Sequence, residues 1–300
     1  MSVEATAAER DSNRLIESQL NQRAEALEAA LGGSHVLSYL GSMYPPADDE
    51  IKDAVEELAG GRRRRQAALL VLLETDGGLI TVAERMARIF RHHYQRVDFL
   101  VPTFAMSAGT VLVMAGDDIY MDYASTLGPI DPQIRRQGRF VPALGYLEQY
   151  RRLVKKSMEG KLSPAEMAIL IENFDQAELY QFEHERKLSI ALLEQWLVKY
   201  KFKNWRVTET NKTPVTKKMR VERATEIAEK LNDTEVWHSH GRGIPMEVLR
   251  RDLKLLINDF GSDPALAQPV HDYFRLLSDY RMRRGHEIFV LHTKGRHVGY

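Results

Sequence analysis

The chain of 300 residues contains no cysteine. Disulfides, thiolate metal ligands and thiol nucleophiles are therefore excluded, and a reducing compartment is compatible with the composition. Net charge is absent as well: Lys plus Arg and Asp plus Glu each number 42, so no overall field favours nucleic acid or an anionic membrane as a partner. No apolar run approaches the roughly 20 residues that cross a bilayer. Glu4, Glu9 and Asp11 lie near the start with no apolar segment among them, unlike a secretory signal. The chain also lacks a G-x-x-x-x-G-K-S/T phosphate loop, an internal repeat of solenoid type and a low-complexity linker. These absences predict a soluble, cytoplasmic protein with no transmembrane segment, no nucleic-acid partner and no cofactor.

What is present is ordinary globular material, 44% apolar and 28% charged, enough for one large core or two modest ones. Leu15, Leu20, Ala24, Leu27 and Leu31 stand near helical spacing before Gly32-Gly33 ends the pattern, which predicts an N-terminal helical arm over residues 1–33. Such an arm serves either a subunit contact or packing on its own domain. From His35 onward short apolar runs alternate with helical patterns, the signature of βαβ units and a mainly parallel sheet. Strands are expected at 36–40, 67–73, 97–104 and 118–121, and helices at 48–58, 79–90 and 110–114. This assigns an α/β core to residues 34–145, a helical insertion to 146–210 and a C-terminal helical part completing the core to 211–300. In that last part helices are expected at 215–231, 246–257 and 268–284, then a strand at 288–292. The four arginines at 62–65 read as a solvated loop, because no aromatic residues are interleaved with them.

Two small-residue turns follow buried strands: Thr75-Asp76-Gly77-Gly78 and Ala105-Met106-Ser107-Ala108-Gly109. Open α/β sheets bind ligands at the carboxyl ends of such strands. A serine is a poor nucleophile until a base takes its proton and donors stabilise the oxyanion that forms. Ser107 precedes a helix, where free N–H groups favour negative charge, and the Ala108 N–H is the natural first donor. Gly77 and Gly78 have no side chains, so their N–H groups approach a substrate closely. Alone, a glycine pair after a strand is a turn, and a serine among small residues is a helix cap. Their order and spacing together carry the chemistry.

Residues 69–133, with ETDGG, then AMSAGT, then GDDIYMDYASTLGPIDPQ, resemble the core of the Clp-fold serine proteases. That superfamily includes the Clp proteolytic subunit, signal peptide peptidase A and, most similar here, the serine dehydrogenase proteinases. The resemblance implies a Clp/crotonase-type α/β fold of repeated βαβ units and a serine-type peptidase. Ser107 would be its nucleophile, and Gly77 or Gly78 with Ala108 its oxyanion-hole donors. A homo-oligomer and a peptide or unfolded-protein substrate are implied too. Unfolding energy would then come from a separate ATPase or other partner protein.

The base is where the sequence departs from the Clp subunit, which has a histidine soon after its serine. The corresponding stretch here, 127–132, offers Asp131 and no histidine. Serine dehydrogenase proteinases use the order Ser, Asp, His, which makes Asp131 the orienting carboxylate and places the histidine later. His240 is the first candidate and His238 the alternate; their spacing of two does not choose between them. A His-x-His pair also suits a metal, but no third ligand stands nearby. Signal peptide peptidase A relatives use a Ser-Lys dyad, which makes Lys156 and Lys155 further alternates. Arg151, Arg152 and Glu159 around them suggest a solvated helix face, whereas a lysine base needs desolvation. His92-His93 read as cations at a helix end, and His271, His286, His292 and His297 as scattered. Two other functions fit the same fold: a crotonase-type acyl-CoA enzyme, which needs no nucleophilic serine, and a non-catalytic Clp-fold scaffold subunit.

Overall fold

A computed structural model describes residues 7–61, 65–131, 133–136, 139–237 and 239–300, with backbone alone at 7–10, 133–136, 139–144 and 234–235. In chain order the elements are α1 (Ala7–Ala30), β1 (His35–Gly41), α2 (Ala47–Ala59), β2 (Gln66–Glu74), α3 (Ile80–His93), β3 (Tyr94–Leu100), β4 (Phe104–Ala105), α4 (Ala108–Val113), β5 (Ile119–Met121) and β6 (Thr126–Leu127). Then come β7 (Gln133–Arg136), β8 (Arg139–Pro142), α5 (Ala143–Met158), α6 (Pro164–Asn173), α7 (Gln176–Trp196), α8 (Lys217–Asn232) and α9 (Thr234–Trp237). The chain closes with β9 (Ile244–Pro245), α10 (Met246–Asp252), β10 (Asn258–Asp259), α11 (Pro264–Arg284), β11 (Phe289–Thr293) and β12 (Arg296–Gly299). These elements form two compact units, one of Met1–Leu127 with Ile244–Tyr300 and one of Gly128–Gly243. The divisions fall at 127/128 and 243/244, where no run of linker composition marks the change.

The first unit is built on a seven-stranded sheet of order β10-β5-β3-β2-β1-β11-β12. Its first five strands are mutually parallel, and β11 runs antiparallel to both of its neighbours, β1 and β12. Residues 69–73 of β2 are buried throughout, because the strand is central and both of its faces are covered. Alternation sends Leu70 and Leu72 to one face, together with Val36, Leu40, Leu100 and Val290. There they meet Leu20, Ala24 and Leu27 of α1 and Val270, Tyr273, Leu277 and Tyr280 of α11. The arm thus packs on its own unit. On the opposite face Phe90 of α3 meets Phe99 of β3, ring centroids 6.3 Å apart. Arg91, in the last turn of α3, is buried against Asp117, Nη1 to Oδ2 2.6 Å, and Asp117 also accepts from Val97 N at 2.9 Å.

Three expectations are corrected. The strand expected at 97–104 divides, because Pro102 has no N–H with which to continue a ladder. β3 stops at Leu100, and Phe104–Ala105 joins a separate three-stranded sheet of order β4-β6-β9. The helix expected at 246–257 ends at Asp252, before Lys254 turns to a φ of 51°. α11 begins earlier than expected, at Pro264, where Asp263 caps it by accepting from Ala265 N at 3.0 Å. Of the arginines at 62–65, those at 62–64 lie outside the described residues; Arg65 donates to the carbonyls of Arg91 and His92.

The second unit is mainly helical. Ser163 and Glu166 form a capping box at the start of α6, and Asp175 caps α7. Leu147, Leu179 and Phe182 form a small core with Tyr146, Tyr150 and Phe174. Among the described residues, no helix is long and apolar enough to cross a membrane.

Candidate active site

The turns after β2 and β4 leave neighbouring carboxyl ends. Thr75 N donates to Phe104 O at 3.2 Å and Met106 N to Thr75 O at 2.8 Å, so the two segments are held in register just before both turns. Ser107 then takes φ 53° and ψ −120°, a region that residues with a Cβ avoid. The helix starts at once: Gly109 N donates to Met106 O (2.8 Å), Val111 N to Ser107 O (3.2 Å), and Thr110 Oγ1 to Ala105 O (2.7 Å). A Cβ on Gly109 would lie 2.3 Å from Thr75 Cγ2, so this close helix-to-strand packing requires glycine. Ala-Met-Ser-Ala-Gly is therefore a sharp strand-to-helix turn with a strained serine at its apex, the mechanics of a nucleophile elbow. Ser107 is half-buried, does not cap α4 with its side chain, and has no hydrogen-bond partner for Oγ among the described residues.

The glycine pair lies beside it. Gly77 and Gly78 have φ of 104° and 148°, both positive, as glycine alone tolerates freely. A Cβ on Gly77 would stand 2.9 Å from Ser107 Cβ, and one on Gly78 2.3 Å from Met43 O. Gly77 O accepts from Met43 N (2.8 Å) and Met43 O from Leu79 N (3.0 Å), which stitches the loop to the segment after β1. The Gly77 N–H donates to Thr75 Oγ1 at 3.0 Å. That of Gly78 has no acceptor among the described residues, nor has that of Ala108. Of the three donors expected from the sequence, Gly77 is engaged within the loop, and the N–H groups of Gly78 and Ala108 are unengaged among the described residues.

The second unit contains an imidazole–carboxylate pair. Asp131 is fully buried, and His240 Nδ1–H donates to its Oδ1 at 2.9 Å. Donation from Nδ1 leaves Nε2 as the proton acceptor, and Nε2 has no partner among the described residues. This is the arrangement of an oriented general base. The alternate, His238, lies outside the described residues. Lys156 pairs with Glu166, Nζ to Oε1 2.6 Å, and this bond, with the Ser163 N–H, holds the Glu166 carboxyl down at about 2. Lys155 is exposed. Neither lysine has the desolvated surroundings that a lysine base requires. Among the described residues, no group of three His, Asp or Glu is placed to hold a metal ion.

A further histidine–carboxylate contact in the first unit escaped the sequence reading, which took His271 as scattered. His271 Nε2 lies 3.5 Å from Asp122 Oδ2. Asp122 Oδ1 accepts from Ala124 N, Ser125 N and Ser125 Oγ, each at 2.9 Å, so this carboxylate holds the turn after β5.

Residues 50–168 match the family model described as ClpP-like SDH-type serine proteinase, the family that the ordered ETDGG and AMSAGT motifs resemble. The match takes in Gly77, Gly78, Ser107, Ala108 and Asp131 and stops short of His240. Two uncharacterized proteins of Methanocaldococcus jannaschii are similar over shorter stretches. One is 36% identical over 91 residues, 30% of this chain and 30% of the relative. The other is 40% identical over 63 residues, 21% of this chain and 22% of the relative. The chain thus aligns with less than a third of either relative's length.

Proposed function

We propose that this chain, whose residues 50–168 match the ClpP-like SDH-type serine proteinases, is a serine-type, peptidase-like hydrolase acting on peptides or unfolded protein. Ser107 Oγ attacks the scissile carbonyl carbon while its proton passes to His240 Nε2. The carbonyl electron pair moves onto oxygen, where the N–H groups of Gly78 and Ala108 receive it. The C–N bond then breaks, the amine leaves with the proton from the imidazolium, and water repeats the sequence to release the acid and regenerate Ser107. Asp131 holds the imidazole in orientation and stabilises the imidazolium.

The observation that carries this reading is the Ser107 turn: a strained φ of 53°, an Oγ with no partner among the described residues, and Gly77 packed against its Cβ. Chain connectivity supports His240 and Asp131 as the proton-transfer pair. Leu127 and Ile244 are register partners in the β6–β9 ladder; Asp131 comes four residues after the first and His240 four before the second. The test is hydrolysis of fluorescein-labelled casein by Ser107→Ala, His240→Ala, Asp131→Asn and Lys156→Ala. Loss in the first, a fall of about 10²–10⁴-fold in the second, a smaller fall in the third and wild-type activity in the fourth are expected. Full activity in Ser107→Ala overturns the reading, and loss in Lys156→Ala with activity in His240→Ala overturns the choice of base.

A further inference from the structure

We propose that Thr75 is the positioning residue of the oxyanion hole, one buried side chain that fixes both loops bearing the donor N–H groups. This rests on the hydrolase reading of Ser107. Thr75 is 1% exposed and lies just beyond β2. Its backbone registers the serine turn, donating to Phe104 O and accepting from Met106 N. Its hydroxyl accepts the Gly77 N–H at 3.0 Å and faces Gly77 O at 3.4 Å, a closed side-chain turn. That turn fixes the plane of the Gly77–Gly78 peptide. In a trans peptide C=O and N–H point in opposite directions. Gly77 O is directed to Met43 N (2.8 Å), so the Gly78 N–H points away from the β1 end, and Gly77 lies against Ser107. The Thr75 methyl does the second task. It occupies the place of a Cβ on Gly109, 2.3 Å away, and so packs against the first turn of α4, which bears the Ala108 N–H.

The two tasks separate chemically: valine keeps the methyl and loses the hydroxyl, and serine does the reverse. The experiment measures p-nitrophenyl acetate hydrolysis, amide hydrogen exchange at Gly77 and Tm in Thr75→Val, Thr75→Ser and Ser107→Ala. Thr75→Val is expected to lower kcat by about 10–100-fold, less than outright removal of a donor, with KM within about threefold. Gly77 exchange should accelerate in the same variant. Thr75→Ser should keep Gly77 protected and, through the lost methyl contact with α4, lower kcat by less than Thr75→Val does. Wild-type kcat in Thr75→Val beside an inactive Ser107→Ala overturns the role of Thr75 alone. Equal losses of kcat in both Thr75 variants, tracking equal losses of Tm, do the same by reducing Thr75 to a structural residue. Unchanged hydrolysis in Ser107→Ala overturns the hydrolase reading and this proposal with it, while Gly77 exchange still reports whether the hydroxyl holds the loop.

Discussion

Replacing Ser107 with glycine is expected to stabilise the protein while removing the proposed nucleophile. At φ 53° and ψ −120° the serine occupies a backbone region whose cost for a residue with a Cβ is about 1–3 kcal/mol. Glycine relieves that cost but adds about 0.5–1 kcal/mol of chain entropy in the unfolded state. The net gain is therefore about 0–2.5 kcal/mol. No hydrogen bond offsets it, because Ser107 Oγ has no partner among the described residues. Ser107→Ala keeps the Cβ and the strain, so it is expected within about 0.5 kcal/mol of wild type. The contrast between the two variants isolates the backbone term, since both lack the hydroxyl. Urea unfolding reads it as a higher midpoint at constant m, and Tm as a rise of about 2–4 °C per kcal/mol. A glycine variant about 1 kcal/mol less stable than the alanine variant, the ordinary helix-interior penalty, would refute a strained nucleophile.

Burial pushes His292 down to about 3 and His297 down to about 4, and both ring nitrogens of His297 are buried without a hydrogen-bond partner among the described residues. An unfolded histidine takes its proton near 6.5, so below that pH the unfolded state binds protons that the folded state refuses. Stability is then complete above pH 6.5 and falls as pH drops toward 4, by about 2 kcal/mol per histidine at pH 5. Urea midpoints at pH 7.5 and 5.0 check this; His297→Phe should shrink the difference, and a flat profile would contradict it. Asp117→Ala leaves the Arg91 guanidinium buried without its carboxylate and should cost about 3–5 kcal/mol. Chemical denaturation measures that loss, and a change under 1 kcal/mol would show the pair to be dispensable.

The sheet was legible where burial imposes pattern. The run at 69–73 in β2 is apolar because helices cover both faces, and Leu20, Ala24 and Leu27 in α1 share a stripe because one face meets α11. β12 was not legible: it holds one apolar residue, Val298, and pairs only with β11 at the sheet edge, so no periodicity announces it. Its signal was the Lys294-Gly295 turn, where Gly295 takes φ 89°. The division into units at 127/128 and 243/244 follows from which strands pair in space, which composition does not encode. Ser107 and the glycine pair stood out by order along the chain. What the sequence did not reveal is which glycine N–H is spent, because that depends on a hydroxyl two residues earlier folding back onto Gly77. Similarly, the spacing of His238 and His240 leaves either as a base, and the contact of His240 with Asp131 is a property of the folded second unit.

The most direct test of the central claim is reaction with a fluorophosphonate followed by peptide mass spectrometry. The account predicts one adduct, on Ser107, formed about 10²–10⁴-fold more slowly in His240→Ala. An adduct on any other residue, or hydrolytic activity that survives with Ser107 fully modified, would contradict it.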